Sequence, residues 1–267
     1  MSMETVEPVI VVEDLQVAYG DKVVLDEINL AVQPGEIFVI LGGSGSGKTT
    51  LLRNLVGLMR PQSGRILIDG LDFTSMSAQE RMGIRRKMGM CFQGSALLGS
   101  LSVADNVALP LREHTKLEES TIDIMTRIKL ELVGLSGFED YLPSELSGGM
   151  RKRAGIARAM AMDPKIIFYD EPSAGLDPIV AAGLDELIRT MQSTFNLTSV
   201  VVTHEMESVR IIADRVCVLH KGLVAGVGSL DELERSAHPY IQQFFARRPD
   251  DSDTADADYA QSLTSID

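Results

Sequence analysis

Short, uniformly apolar runs recur along the chain, separated by segments in which apolar residues return every three or four positions. The uniform runs predict strands buried on both faces, and the spaced segments predict helices. The predicted buried strands cover residues 37–41, 88–92, 166–170, 199–204 and 215–220. The first predicted helix begins at Lys48 and runs to about Leu58. Further helices are predicted over residues 77–87, 179–195 and 205–212. Strands interleaved with helices in this way predict an α/β fold with a mostly parallel sheet.

Two regions depart from this pattern. Residues 9–19 and 23–32 alternate partially between apolar and polar positions, which predicts an antiparallel β part ahead of the core. Between about residues 95 and 163, leucine and methionine recur at helical spacing, which predicts a helical insertion. We therefore predict an α/β core over residues 9–94 and 164–236, a helical subdomain over residues 95–163, and a C-terminal helix and tail over residues 237–267.

The composition limits the functions open to this chain of 267 residues. Its formal net charge of −13 argues against a general nucleic-acid-binding protein, because phosphate backbones attract basic surfaces. Residues 249–267 carry six aspartates and no lysine or arginine. Cys91 and Cys217 lie far apart in apolar runs, which predicts buried, reduced thiols rather than a disulfide framework or a metal cluster.

The apolar runs are too short to suggest a membrane protein. None approaches the roughly 18 apolar residues that a membrane-spanning helix requires. The stretch MSMETVEPVI at the start is acidic and lacks the basic and apolar parts of a signal peptide. We therefore expect a cytoplasmic protein whose link to any membrane is made by a partner.

The stretch GGSGSGKTT, residues 42–50, is the first candidate for chemistry. Gly42, Gly47, Lys48 and Thr49 meet the pattern G-x-x-x-x-G-K-[ST]. A flexible linker could have a similar composition, but here a predicted buried strand precedes the loop and a predicted helix follows it. In that context the backbone N–H groups form a phosphate cradle, the lysine reaches the β- and γ-phosphates, and the threonine hydroxyl holds Mg²⁺.

The stretch IIFYDEP, residues 166–172, ends an apolar strand in two carboxylates. Asp170 is predicted to orient Mg²⁺ through its water, and Glu171 to act as general base on the attacking water. Pro172 is expected to restrict Glu171 to an extended backbone, which would help to aim its side chain. A strand end carrying two solvated acids is the simpler alternative.

Three further stretches contribute candidate residues. In LSGGM, Ser147 is a natural helix N-cap, whereas Gly148 and Gly149 give a helix no stability and instead leave bare amides open to an anion from another molecule. His204 ends a predicted core strand level with Glu171. Gln93 opens the helical insertion, where its neutral amide could touch Mg²⁺ or the attacking water.

Taken in order, these stretches resemble the nucleotide-binding domain of ABC transporters over residues 9–240. The resemblance implies a RecA-like P-loop NTPase core, with Gln93 in the Q-loop, Glu171 as the catalytic residue of Walker B, and His204 as the switch histidine. The implied catalytic set is Lys48, Gln93, Glu171 and His204, and the implied Mg²⁺ ligands are Thr49, Gln93 and Asp170. The residues implied to bind ATP are Tyr19, which would stack on adenine, Gly42, Gly43, Ser44, Gly45, Ser46, Gly47, Lys48, Thr49, Thr50, Ser147, Gly148, Gly149 and Asp177.

The same resemblance implies how such a domain works. Two chains face each other head to tail, and each ATP lies between the phosphate loop of one and the LSGGM stretch of the other. ATP closes this homodimer, and hydrolysis through Glu171 lets it open. The motion reaches the membrane subunits through a groove beside the Q-loop.

One subfamily is a closer match. LSGGM followed by RKRA, together with residues 92–117, is similar to the ATPases of MCE-type lipid transport systems, the Mla- and Mkl-like proteins. That similarity implies a phospholipid or other lipid substrate, a polytopic permease partner of the MlaE type, an MCE lipid-binding protein and, in some members, a STAS-domain regulator. Met150 departs from the common LSGGQ, which puts in doubt any role for an amide at that position.

Other readings stay open at this point. An ABC importer ATPase for amino acids or metals would have the same nucleotide site. A soluble ABC ATPase acting on DNA or ribosomes would usually carry a coiled-coil insertion or two nucleotide domains, and a P-loop kinase or GTPase would have no use for LSGGM.

The C-terminal segment has two readings. Residues 239–246 are predicted to form a short helix that packs on the core. The acidic residues from Pro249 onward are most simply a solvated end. Alternatively, Tyr259, Leu263 and Ile266 are apolar anchors that could clasp the second ATPase chain.

Overall fold

Two sheets form the framework of the computed structural model, which describes residues 7–248. One sheet has four strands in the order β2-β1-β4-β5, and the other has six in the order β10-β9-β3-β8-β7-β6. The strands are β1 (Ile10–Tyr19), β2 (Lys22–Val32), β3 (Ile37–Gly42), β4 (Ser63–Ile68), β5 (Leu71–Asp72), β6 (Met88–Cys91), β7 (Ile166–Asp170), β8 (Thr198–Thr203), β9 (Arg215–His220) and β10 (Leu223–Gly228).

Helices connect most of the strands of the six-stranded sheet. They are α1 (Lys48–Leu55), α2 (Ala78–Arg85), α3 (Val103–His114), α4 (Glu119–Leu132), α5 (Gly148–Ala159), α6 (Pro178–Phe195), α7 (Met206–Ile212), α8 (Leu230–Glu234) and α9 (Pro239–Phe245). A short 3-10 turn at Pro143–Glu145 precedes α5. Helices α3, α4 and α5 all lie between β6 and β7 in the chain, as the helical spacing predicts. The division into a core and a helical subdomain stays a prediction.

The parallel arrangement places several loops at one edge of the sheet. Strand β3 pairs in parallel with β8 and β9, and β7 pairs in parallel with β6 and β8. In that register Leu41 lies opposite Thr203, and Asp170 lies opposite Val202. The segments that follow β3, β7 and β8 therefore emerge together at the carboxyl edge, where open α/β sheets bind their ligands.

Uniformly apolar strands bury both of their faces, which accounts for their composition. Every residue of β3 is buried, and so is every residue of β8. Phe38 and Ile40 pack on one side of the sheet with Leu51 and Leu55 of α1, whereas Val39 points to the opposite side. Burying each large apolar side chain contributes about 1.5–3 kcal/mol, so these two clusters hold β3 and α1 in a fixed relation.

Strand β10 and helix α8 were not predicted from the sequence. Strand β10 reads LVAGVG, with two glycines and only partial burial, so it lacks the apolar run of a core strand. It forms because its backbone pairs antiparallel with β9 at the edge of the sheet. Helix α8 has five residues and starts at a capping box of Ser229 and Glu232, which is too short a segment to show a helical period.

The structure bears on the predictions made for the two cysteines and for membrane-spanning helices. Cys91 and Cys217 are free and buried, as predicted, and burial raises the pKa of both thiols to about 12. Within residues 7–248, none of the helices combines the length and apolarity that crossing a bilayer requires. The predicted clasp through Tyr259, Leu263 and Ile266 lies outside the described residues.

Candidate functional site

The loop between β3 and α1 needs glycine for reasons that the structure makes explicit. Gly45 and Gly47 have φ values of 73° and 103°, in the left-handed region that side chains disfavour. A Cβ atom on Gly42 would lie 2.4 Å from the Leu219 carbonyl oxygen, and one on Gly47 would lie 2.5 Å from Leu25 Cδ2. The loop is therefore wrapped tightly against its neighbours, which a flexible linker would not be.

Lys48 is the first residue of α1 and is buried, at 9% exposure. Its Nζ donates hydrogen bonds to the carbonyl oxygens of Gly42 and Gly43, at 2.8 and 3.0 Å. Burial lowers the pKa of Lys48, and the negative charges of Glu171 and Asp170 oppose that effect. The loop thus folds around an ammonium group at the carboxyl edge of the sheet.

The start of α1 is suited to an anion. Its N-cap is Gly47, which offers no side-chain acceptor to the first amides, and its first turn carries no acidic residue. The buried Oγ of Ser46 has no hydrogen-bond partner among the described residues. Free amides, the partial positive charge of the helix end and the Lys48 ammonium together fit a phosphate group.

Two carboxylates face this loop from the end of β7. Asp170 Oδ1 is buried without a hydrogen-bond partner among the described residues, and Glu171 is 8% exposed. Burial raises the pKa of Asp170, and the charge of Glu171 adds to the rise. His204 Nδ1 lies 3.0 Å from Glu171 Oε1 and 2.9 Å from Oε2, and its side chain is 56% exposed. The predicted proximity of His204 and Glu171 is thereby confirmed.

The backbone at Glu171 differs from the prediction. Pro172 was expected to keep Glu171 extended, but Glu171 has φ = 48°, in the left-handed region. Such a conformation costs on the order of 1–3 kcal/mol in a residue other than glycine and persists only where neighbours enforce it. Here the Glu171 N–H donates to the Val202 carbonyl at 2.9 Å, and the Glu171 carbonyl accepts from Lys152 Nζ at 3.0 Å.

Lys152 is a residue that the sequence analysis missed. It lies on α5, and its Nζ also donates to the Gln93 carbonyl at 2.6 Å. Arg158, on the same helix, donates to the carbonyls of Ser95 and Ala96, both at 2.7 Å. The basic residues of RKRAGIAR are the only signal in the sequence. The backbone at Gln93, Ser95 and Ala96 is therefore fastened to α5, the helix that begins within LSGGM.

The LSGGM stretch begins α5. Ser147 is the N-cap, and its hydroxyl accepts from the Met150 N–H at 3.2 Å, as predicted. Gly149 is buried, and a Cβ atom there would lie 2.5 Å from Val180 Cγ1, so this glycine is also required by packing on α6. At Gly148 a Cβ atom would make ordinary contact with Leu176. Of these two glycines, Gly149 is required by packing within one chain and Gly148 is not.

The remaining predicted residues lie at the surface. Tyr19 is 47% exposed, and its hydroxyl lies 3.1 Å from Met59 Sδ, so its ring is open to a base. Asp177 is the N-cap of α6, where it accepts from the N–H groups of Ile179 and Val180 at 3.1 Å. The Gln93 side chain is exposed. Within residues 7–248, none of these three side chains is hydrogen-bonded to the loop of residues 42–50.

Asp185 is a buried acid that lies where α6, α7 and the segment after Glu171 meet. Asp185 on α6 is 1% exposed, and its Oδ1 has no hydrogen-bond partner among residues 7–248. Burial raises the pKa of Asp185 to about 6, a hydrogen bond from Ser208 opposes the rise, and the charge of Glu205 adds to it. Ser208 Oγ in turn lies 3.1 Å from Ser173 Oγ. Helices α6 and α7 and the segment after Glu171 therefore meet at this acid.

Asp185→Asn is expected to stabilise the protein at neutral pH. Since the folded-state pKa of about 6 exceeds the ordinary value of 3.8, the folded chain binds more protons than the unfolded chain between those values. Stability is therefore lost as pH rises from about 4 to 6, and the loss stays constant above that. The variant should remove this slope and gain about 1–3 kcal/mol at pH 7. Urea unfolding at pH 4.5–7.5 measures it.

A matched control for this prediction is the exposed Asp123 of α4. Asp123→Asn removes the same charge from the surface and should leave the pH dependence of unfolding as it is. Equal slopes for the wild type and Asp185→Asn would contradict the prediction.

The site also fits a metal ion held jointly with phosphate. Among residues 7–248 there is no group of three or more His, Cys, Asp and Glu side chains that could hold a metal by themselves. Asp170 nevertheless offers a buried, unpartnered carboxylate oxygen beside the loop, and Thr49 follows Lys48 in the first turn of α1. Mg²⁺ prefers such a setting, with one or two protein oxygens and the rest from water and phosphates.

A tight glycine loop, a buried lysine and paired carboxylates at the edge of a parallel sheet define a P-loop nucleotide hydrolase. Comparison with known proteins makes the class specific. The chain matches the family described as ABC transporter over residues 25–174, and it belongs to that family. It is accordingly an ATP-binding protein and an ATPase, which confirms the predicted family, fold class and activity.

Individual relatives agree with this assignment. The chain is 44% identical over 239 residues to the intermembrane phospholipid transport system ATP-binding protein MlaF of Haemophilus influenzae, covering 90% of each chain. It is 43% identical over 237 residues to the probable ribonucleotide transport ATP-binding protein mkl of Mycobacterium leprae, covering 89% of this chain but 68% of that one.

A solved structure supports the fold. The dimeric post-hydrolysis state of the ATP-binding cassette MJ0796, bound to ADP and Pi, superposes with a TM-score of 0.76 at 30% identity. The match covers 83% of this chain and 98% of that one. The fold is therefore that of ABC ATPases, while the roles of individual residues stay predictions.

Proposed function

We propose that the chain is the ATPase subunit of a phospholipid transport system of the MCE type and that it works as a head-to-tail homodimer. The observation that carries this is the similarity to MlaF, which extends over 90% of both chains. The relative named for ribonucleotide transport is matched over only 68% of its length. It therefore supports an ATP-driven transporter, but it is weaker support for ribonucleotide as the cargo than MlaF is for phospholipid.

The phosphate loop supplies the binding step. In this proposal the amides of residues 44–50 and the Lys48 ammonium hold the phosphates, Gly42 and Gly43 shape the start of the loop, and the exposed Tyr19 ring stacks on adenine. Thr49, Asp170 and Gln93 hold Mg²⁺, which neutralises phosphate charge when bound. The unpartnered buried oxygens of Ser46 and Asp170 support these roles, because buried polar groups ordinarily have partners.

Glu171 and His204 supply the proton-transfer step. His204 Nδ1 lies 3.0 Å from Glu171 Oε1 and 2.9 Å from Oε2, and each carboxylate oxygen keeps a further lone pair with which it can accept a proton from water. The imidazole of His204 thus faces both oxygens and fixes the orientation of the carboxylate. The left-handed backbone at Glu171, held by Lys152 and Val202, sets the direction of the side chain.

A second copy completes the site in this proposal. Ser147, Gly148 and Gly149 would contact the ATP of the partner chain through the start of α5. Ile179, beside Asp177, is 84% exposed, an apolar surface that a partner chain would cover. The superposing cassette MJ0796 is itself dimeric, which supports the arrangement.

The partners follow from the same assignment. We place the homodimer on the cytoplasmic face of the membrane, held by a polytopic permease of the MlaE type, with an MCE lipid-binding protein and a STAS-domain regulator as further components. Phe92 and Leu98, on either side of Gln93 and the Q-loop, are 40% and 46% exposed and offer an apolar docking surface. The net charge of −13 supports a function without nucleic acid.

Purification of the tagged chain from membranes of its own host tests this function. A polytopic permease, an MCE protein and phospholipid should co-purify with it. Replacing Phe92 and Leu98 by Ala should reduce the permease yield severalfold while ATP binding is kept. Ile124→Ala, at an equally apolar position that is 61% exposed on α4, is the control and should change nothing. Recovery of an amino-acid or ribonucleotide permease instead would refute the lipid assignment.

A further inference from the structure

The C-terminal helix α9 touches the phosphate loop through one side chain. The Gly43 N–H donates a hydrogen bond to Tyr240 Oη at 3.2 Å. The Tyr240 ring is stacked on His220 at the end of β9, with 3.6 Å between ring centroids and 30° between planes. The ring of Phe244, one turn further along α9, is tilted by 47° to that of Tyr240, with 5.9 Å between centroids. The hydroxyl is therefore held in place by two aromatic contacts.

This hydroxyl and Lys48 hold the same peptide unit. The carbonyl of Gly42 and the N–H of Gly43 belong to one peptide group, and the carbonyl accepts from Lys48 Nζ at 2.8 Å. Its N–H end donates to Tyr240. Hydrogen bonds at the two ends of a peptide group polarise each other, so each strengthens the other. The position of the ammonium thus depends on a contact made by α9.

Helix α9 is fixed in position by its packing on β10. Ile241, the next residue, is fully buried, and a Cβ atom on Gly226 of β10 would lie 2.9 Å from its Cδ1. A Cβ atom on Gly43 would lie 3.3 Å from Tyr240 Oη, tighter than most contacts, so the loop is shaped to the hydroxyl. The helix cannot shift without moving the phenol group away from the loop.

We propose that Tyr240 is a positioning residue of the nucleotide site, whose hydroxyl fixes the Gly42–Gly43 peptide and through it the Lys48 ammonium. The inference rests on the proposed role of residues 42–50 in holding phosphate. It assigns to α9 a direct influence on ATP affinity, because any movement of the helix alters the hydrogen bond at the loop.

Tyr240→Phe tests the proposal with the smallest change, since it removes the hydroxyl and keeps the ring on His220. In the full chain, the Kd for MgATP and the KM of hydrolysis should each rise about threefold to tenfold, the effect of one hydrogen bond. The kcat and the melting temperature should stay near wild type. Tyr141→Phe, which removes a hydroxyl from an exposed tyrosine of the helical region, is the control and should leave Kd unchanged.

A double-mutant cycle distinguishes positioning from general loosening. Gly43→Ala should weaken ATP binding when Tyr240 is present, because the added methyl presses on the hydroxyl, and should weaken it much less in Tyr240→Phe. Additive effects, or an unchanged Kd in Tyr240→Phe while Lys48→Ala abolishes binding, would overturn the role of Tyr240 alone. Full ATP binding by Lys48→Ala would instead refute the proposed phosphate site.

Discussion

Glu171→Gln is expected to lower the rate of ATP hydrolysis about 100-fold or more while ATP still binds. Glutamine has the same shape and fits the pocket in which Glu171 is 8% exposed, and it can keep a hydrogen bond to His204. It cannot accept a proton from water, and loss of a general base costs about 10²- to 10⁴-fold. Phosphate release measures the rate, and gel filtration with MgATP should show a persistent dimer.

The neighbouring acid provides a control for this variant. Glu205 follows His204 and is partly buried, so Glu205→Gln removes a charge close to the site without touching the proposed base. We expect it to hydrolyse ATP within a few-fold of the wild type. Hydrolysis at full rate by Glu171→Gln would show that another group takes the proton.

Lys48→Ala is expected to weaken ATP binding about 100-fold or more. The variant removes the buried ammonium and its hydrogen bonds to Gly42 and Gly43, which fix the loop. It also removes a charge that faces phosphate, and a hydrogen bond to a charged group is worth about 1.5–3 kcal/mol. Equilibrium titration with a fluorescent ATP analogue measures the loss.

Two further observations sharpen this test. Lys165→Ala removes an exposed lysine next to the start of β7, far along the strand from the carboxylates, and should bind ATP normally. Because burial lowers the pKa of Lys48, wild-type affinity should fall with rising pH earlier than an ordinary lysine would allow. A pH profile that Lys48→Ala shares with the wild type would contradict the assignment of the charge.

The sequence was sufficient where local patterns decide the structure. The loop of residues 42–50 lies between a uniformly apolar strand and a helix, so its composition and its setting pointed to the same conformation. Asp170 and Glu171 end such a strand, and parallel pairing then placed them beside the loop. The proximity of His204 followed from the same rule, since β8 is the neighbour of β7.

Contacts between a side chain and a distant backbone could not be predicted. Lys152 reaches a carbonyl 59 residues away, and Tyr240 meets an amide 197 residues away, without any periodic pattern to mark them. The left-handed backbone of Glu171 is enforced by residues that are distant in the sequence. The expectation that a residue before proline is extended was therefore wrong at this position. Strand β10 has no apolar run of its own and forms by pairing with β9, a contact that its sequence does not announce.

The ammonium of Lys152 donates to the carbonyls of both Gln93 and Glu171, so these two backbone segments are mechanically joined. A displacement of residues 92–98 would be transmitted through Lys152 to the backbone that carries the Glu171 carboxylate. In the proposed transport system, docking of the permease on residues 92–98 would therefore change the rate of hydrolysis even at saturating ATP.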